Sequence, residues 1–178
     1  MIAGVRHSDR LRNSVADEGE IVEEEWAESI RVGLELDLDG EPQPIQAATA
    51  YSSAARFFGL VDPEQISPFR EVDDHEAEIA TEDGGTETVT INEAATLNAL
   101  LAGEADSAWL GGTRYRLVTT TDFPDSAGKV TVLVAAGNKT VLVASPEGSE
   151  VHVLAYVAER SDVGKATVLL VRYAQTIS

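Results

Sequence analysis

The chain reads as a mainly β protein of the α+β kind, a C-terminal antiparallel β-sandwich or jelly-roll with a few short helices in the N-terminal part. Three observations predict this class. Between Lys129 and Tyr173 lie four apolar runs of strand length, Val130–Ala135, Thr140–Ala144, Val151–Ala158 and Ala166–Tyr173. Turn-forming residues stand at each join, Ala136-Gly137-Asn138, Ser145-Pro146-Glu147-Gly148 and Ser161-Asp162-Val163-Gly164, where each supplies either a fixed φ or access to positive φ. With 178 residues and no cysteine, the chain is long enough to bury a core without disulfide staples.

Taken in order, Met1–Asn13 carries Arg6, Arg10 and Arg12 as a small basic arm and reads as a mobile terminus. Asp17–Ser29 is crowded with carboxylates, and Val22 and Trp26 stand four apart, the spacing of one helix face. Ile30–Asp39 alternates strictly, with Ile30, Val32, Leu34, Leu36 and Leu38 on one side and Arg31, Gly33, Glu35, Asp37 and Asp39 on the other. That period of two predicts a half-buried strand. Ile45–Phe58 is rich in alanine, and Ala47, Tyr51, Ala54, Ala55 and Phe58 fall at helical spacing before Gly59.

The segment Asp62–Arg70, with Pro63 and Pro68, is a connector. Glu71–Glu87 is an acidic, glycine-containing tract that reads as a solvated loop. Thr88–Ile91 is a short strand, and Asn92 caps a helix over Glu93–Ala102 that ends at Gly103. Beyond it come Trp109, a Gly111-Gly112 turn, and an alternating run over Tyr115–Thr121.

Charge divides the chain. Residues 1–106 hold 25 acidic and 6 basic side chains, whereas residues 107–178 hold 6 acidic and 7 basic, within a total of −18. Two regions are expected on that ground, an acidic N-terminal region over 1–106 and a C-terminal β domain over 107–178. So acidic a surface disfavours nucleic acid as a partner, because binding phosphates requires cations. No stretch approaches the roughly 20 apolar residues of a membrane span, and Met1–Arg12 lacks the apolar core of a signal peptide. A soluble chain made in the cytoplasm is expected. Only Lys129, Lys139 and Lys165 are lysines among 13 basic residues, a composition that resembles proteins of salt-loving organisms, where molar salt screens the self-repulsion.

No catalytic, cofactor-binding or metal-ligating residue is assigned. His7, His75 and His152 are scattered, and no nucleophile elbow, zinc-protease helix, phosphate loop or dinucleotide fingerprint occurs. Asp37, Asp39 and Glu41 have the spacing that opens a calcium loop but lack its glycine and distal glutamate. His75 among Asp73, Asp74, Glu76 and Glu78 offers ligand types, yet neighbouring residues point in different directions and read as a hydrated loop.

Two phrases in the C-terminal half have a family likeness. Ala136-Gly137-Asn138-Lys139-Thr140-Val141-Leu142-Val143 and Pro146-Glu147-Gly148-Ser149-Glu150-Val151-His152-Val153-Leu154-Ala155-Tyr156 each run from a glycine turn through polar residues into a strand. In this they resemble β domains of tailed-virus structural proteins, such as head decoration, turret, fibre and spike proteins. With the salt-adapted composition, the resemblance implies a virion structural protein of a tailed virus of a halophilic archaeon, located in the virus particle after synthesis in the host cytoplasm. It implies a non-enzymatic capsid decoration or turret protein without cofactors, whose partners are its own copies and other virion proteins such as the major capsid protein. A neck, head-completion or tail protein is the alternative. A cellular carbohydrate- or protein-binding β module is the second, with Trp109, Tyr115 and Tyr156 lining its site. The valine-rich strands are expected to leave apolar surface that neighbouring subunits cover. On that view, Asp at Leu154 or Val168 would block assembly.

Overall fold

In the computed structural model, residues 23–36 and 38–177 are described. Helix α1 spans Glu23–Glu35, followed by the hairpin β1 (Ala47–Ser52) and β2 (Arg56–Val61), and then the hairpin β3 (His75–Ala80) and β4 (Thr86–Ile91). Helix α2 (Glu93–Leu101) leads into β5 (Ser107–Leu110), β6 (Thr113–Asp122), β7 (Gly128–Ala135), β8 (Lys139–Pro146) and β9 (His152–Val157). A short 3-10 turn at Arg160–Asp162 then opens helix α3 (Val163–Ile177). Seven strands form one curled antiparallel sheet in the order β2-β1-β9-β8-β7-β6-β5, and β3 and β4 form a separate two-stranded sheet. The molecule is mainly β, α+β and sandwich-like, as its sequence predicts.

Both faces of the large sheet are covered. On one, Trp26, Ile30 and Leu34 of α1 and Ala166, Leu170 and Ala174 of α3 meet Ala48, Ala50, Leu142, Ala144, Val153 and Ala155. On the other, Leu97 and Leu100 of α2 meet Tyr51, Leu110, Tyr115, Val141, Val143 and Leu154. Strand β8 therefore buries successive residues on both sides, with Val141, Leu142, Val143 and Ala144 all inaccessible. A continuous apolar run, rather than alternation, is what a doubly covered strand requires.

Several predicted elements take another form. The alternating stretch from Ile30 is helical as far as Glu35. Trp26, Ile30 and Leu34, each four apart, are buried, while Val32 and Leu36 are exposed. A strict period of two contains a period of four, and three glutamates in the first turn favour the helix through its dipole. The predicted helix over Ile45–Phe58 is instead the β1–β2 hairpin, with Ala50 opposite Phe58 and Ser52 opposite Arg56. Its alanines are small because helices close on β1, not because it is itself a helix. The run Ala166–Tyr173 lies inside α3, where Ala166, Leu170, Tyr173, Ala174 and Ile177 form one buried stripe and Val168 is 47% exposed. Of the acidic tract at 71–87, His75–Ala80 is β3 and Thr86 and Glu87 open β4, rather than loop. Of the Asp17–Ser29 helix, only the part from Glu23 onward falls within the described residues, and the arginine arm at 1–13 lies outside them.

The division drawn at residue 106 does not separate the sheet. Strands β1 and β2 come from before it and join β9 through the register Ala48↔Ala155 and Ala50↔Val153. Nor are the valine-rich strands bare. Leu154 is fully buried under α2, so an aspartate there would disrupt the monomer's own core.

Two edges bound the sheet. At the β2 edge, Gly59 and Leu60 N–H donate to Glu23 Oε1 at 2.8 and 3.4 Å, which blunts that edge with a carboxylate. At the other, β5 pairs only with Thr113–Arg116 of the much longer β6.

Candidate functional site

The features able to carry function are the uncovered half of β6 and the junction between α2 and the acidic hairpin. The sequence produces the first by a length mismatch. Strand β5 is four residues long and β6 is ten, so past the Leu117 N–H bond to Asp106 O β6 has a strand on one side only. Residues 117–122 are exposed throughout. Thr119, Thr120, Thr121 and Asp122 pair with Val132, Thr131, Val130 and Lys129 of β7, after a bulge between Leu117 and Thr119. Phe123 N–H continues this ladder to Gly128 O. By antiparallel alternation, Thr121 and Thr119 then bond toward β7, while Thr120 and Asp122 turn their backbone groups outward. Leu117 and Val118 are 38% and 61% exposed beside this edge. The stretch Leu117–Thr121 carries no charge.

The second feature begins with Asn92. Its side chain accepts from Ala95 N–H at 2.9 Å and caps α2, while its amide donates to Asp74 Oδ1. The hairpin register sets His75 opposite Ile91, two residues before Glu93. As a result His75 Nε2 and Glu93 Oε2 lie 3.0 Å apart, and the same oxygen accepts from Gly112 N–H at 2.8 Å. Glu93 is 9% exposed, and Trp109 meets the His75 ring edge-on with centroids 5.6 Å apart. Beside this network is a small pocket of about 130 Å³ lined by Tyr51, Arg56, Arg70, Glu93 and Leu97 among others. Tyr51 donates to Asn98 Oδ1 at 2.7 Å. Burial pushes its hydroxyl above the usual tyrosine range, and the nearby Arg56 charge partly offsets this.

Sequence reading missed this junction. The acidic tract around residue 75 reads as a loop, and nothing in residue spacing shows that a hairpin turned at Gly84-Gly85 returns it to the first turn of a helix 18 residues on. Only the Asn92 cap was legible, because capping is local.

No nucleophile stands beside a base in this network, and His152, the other described histidine, contacts Ser145 Oγ through Nδ1 at 2.7 Å within the sheet. Among the described residues, no group of three or more histidine and carboxylate side chains converges on a point that could hold a metal. Asp39 and Glu41 are exposed in the turn after α1, and Asp37 lies outside the described residues. The aromatic trio does not form a surface: Tyr115 and Tyr156 are 1% and 6% exposed inside the core, and only Trp109 is half-buried. A larger groove of about 680 Å³ runs between α1 and the β1–β2 hairpin, but its one arginine, Arg31, is paired with Glu28 and Glu35 at 2.7 and 3.1 Å.

Compared with known proteins, the chain matches no protein-family description and no curated protein significantly.

Proposed function

We propose that the protein is a non-enzymatic structural component that works by self-assembly, and that its setting is a tailed-virus particle, as a capsid decoration or turret protein. The observation that carries the assembly reading is the half-open β6 edge. An antiparallel strand with outward N–H and C=O groups, no flanking strand and apolar neighbours is a template for adding a strand from another chain. Proteins normally blunt such an edge with charge or proline, as Glu23 does for β2. From Leu117 to Thr121 nothing does.

A second copy is the natural occupant. In a chain of net charge −18, the uncharged stretch Leu117–Thr121, between Arg116 and Asp122, is where two copies approach at the lowest electrostatic cost. A two-fold pairing of β6 with its equivalent joins two seven-stranded sheets into one. The particle setting rests on the glycine-turn and strand wording around β8 and β9 and on the salt-adapted composition. A neck, head-completion or tail position fits the same edge chemistry. The carbohydrate-binding reading loses its residues, because Tyr115 and Tyr156 are core.

Thr120→Pro tests the assembly. It deletes an N–H that faces outward and leaves the bonds to β7 in place. Sedimentation velocity in molar salt should give an oligomer for the natural chain and a monomer with unchanged circular dichroism for Thr120→Pro. A natural chain that stays monomeric at all salt concentrations sinks the reading.

A further inference from the structure

We propose that the pocket between α2, the β1–β2 hairpin and the segment after Arg70 binds a small zwitterion of the α-amino acid class. Three observations converge on it. First, charges of both signs line one small space: Arg56 and Arg70 with Glu71, Asp73 and Glu93. The chain has only 13 basic residues against 31 acidic ones, so two arginines in one pocket are a concentration of a scarce group. Second, these charges do not neutralise one another. Among the described residues, none of the ion pairs includes Arg56, Arg70, Glu71 or Asp73, and the one bond recorded for the Arg70 guanidinium runs to Gly111 O at 3.3 Å. Arg56, Arg70, Glu71 and Asp73 are exposed at the rim of the pocket, and a ligand that carries both signs can reach them there.

Third, Arg56 holds a backbone position that the fold would give more cheaply to glycine. It follows the β1–β2 turn with φ +62, the left-handed region that closes a short hairpin and where a side chain costs stability. Asp39, Gln65 and Asn138 share a positive φ elsewhere, and Arg56 is the one of the four that lines this pocket, where its side chain has a use that glycine would not supply. Meanwhile Glu93 is fixed from behind by His75 and the Gly112 N–H, so its carboxylate is positioned before any ligand arrives.

The size of the space selects the ligand. About 130 Å³ holds at least about four water molecules, enough for roughly half a dozen non-hydrogen atoms. A carboxylate at the arginines, an ammonium at Glu93 and Asp73, and a short side chain against Leu97 and Leu110 fill it. Bidentate guanidinium–carboxylate contact supplies orientation. This site is independent of the β6 edge, and either can fail without the other.

The test is amide NMR on the full chain, titrated with L-alanine, with acetate and ethylammonium as the two half-ligands at the same salt concentration. L-alanine should produce saturable shifts confined to Val72, Ala94 and Leu110, with a dissociation constant of about 1 mM or tighter. Each half-ligand should bind about tenfold or more weakly. Arg70→Gln and Arg56→Gly should each weaken L-alanine about tenfold, and Arg56→Gly should keep or raise the thermal midpoint because glycine relieves the strained φ. Absence of saturable shifts overturns the proposal. So does acetate or ethylammonium binding as tightly as L-alanine, or Arg56→Gly and Arg70→Gln variants that bind it unchanged.

Discussion

Gly59 lies in β2 with φ +67, and a Cβ there would stand 2.7 Å from Trp26 Cβ. Both the backbone and the close approach of α1 therefore demand glycine. Gly59→Ala should cost about 2–4 kcal/mol, the sum of a left-handed alanine and an overpacked contact, read as a lowered urea midpoint. Sequence reading marked this glycine as a helix terminator. It recognised the need for positive φ but not the reason, because Trp26 is 33 positions away. Local chemistry was legible where both partners sit within one turn, as with Asn92 and Gly103; the Glu23 carboxylate on the Gly59 amide was not. His152 makes a residue-scale prediction about pH. Burial lowers its imidazole below the ordinary value of 6.5, so the folded state favours the neutral ring. Its contribution is fully present above about pH 6.5 and is lost as the pH falls through the depressed value. Urea midpoints should decline on acidification below that point, and His152→Gln should flatten the decline relative to the natural chain.

Helices α1 and α3 lie side by side on the sheet, joined by Ser29 Oγ and Tyr173 Oη at 2.8 Å in a buried setting. Gly33 makes the approach possible, since a Cβ at that position would overlap the Tyr173 ring. Burial pushes the Tyr173 hydroxyl up to about 12, against a smaller opposing effect of the Ser29 bond. A raised folded value means that the stabilisation is complete below about pH 10 and disappears as pH climbs through about 12. Tyr173→Phe strands the Ser29 hydroxyl and should cost about 1–2 kcal/mol at neutral pH. The same variant should lose less stability between pH 10 and 12 than the natural chain, as measured by urea titration at each pH. The strand-length run Ala166–Tyr173 is part of α3, and of α1 only the part from Ile30 reads as a strand in the sequence, the part before it reading as a helix. An apolar run covered by a sheet looks alike whether it is a helix or a strand until length decides. At 15 residues, α3 is too long for a strand in this sheet. Strands β6 to β8 were legible because tight turns with glycine or asparagine at positive φ bound them, as at Gly137 and Asn138.

At the scale of the whole molecule, the sequence's charge asymmetry has an architectural cause. Strands β7, β8 and β9 carry no charge beyond Lys129 and Lys139 at their ends, because their central residues are covered on both faces of the sheet, where a charge would be buried. The carboxylates lie on α1, on the β3–β4 hairpin and in the loops. That accounts for the scarcity of charge in these strands without any neighbouring subunit. It also predicts how salt acts. The hairpin carries Glu76, Glu78, Glu82, Asp83 and Glu87, and the His75–Glu93 contact lies at its base. Repulsion among such exposed carboxylates extends over about 10 Å at 0.1 M salt and only about 3 Å at 1 M. The folded chain, being more compact than the unfolded one, feels that repulsion more strongly. Moving from 0.1 to 1 M potassium chloride should therefore raise the urea midpoint, and Glu76→Gln with Glu78→Gln should both raise the low-salt midpoint and shrink the increase. Dimerisation through β6 should follow the same screening, with two −18 chains associating only once salt shortens their mutual repulsion. A urea midpoint that stays level over that range would mean the carboxylates are too widely spaced to repel, and the salt-adapted reading of the surface would be lost.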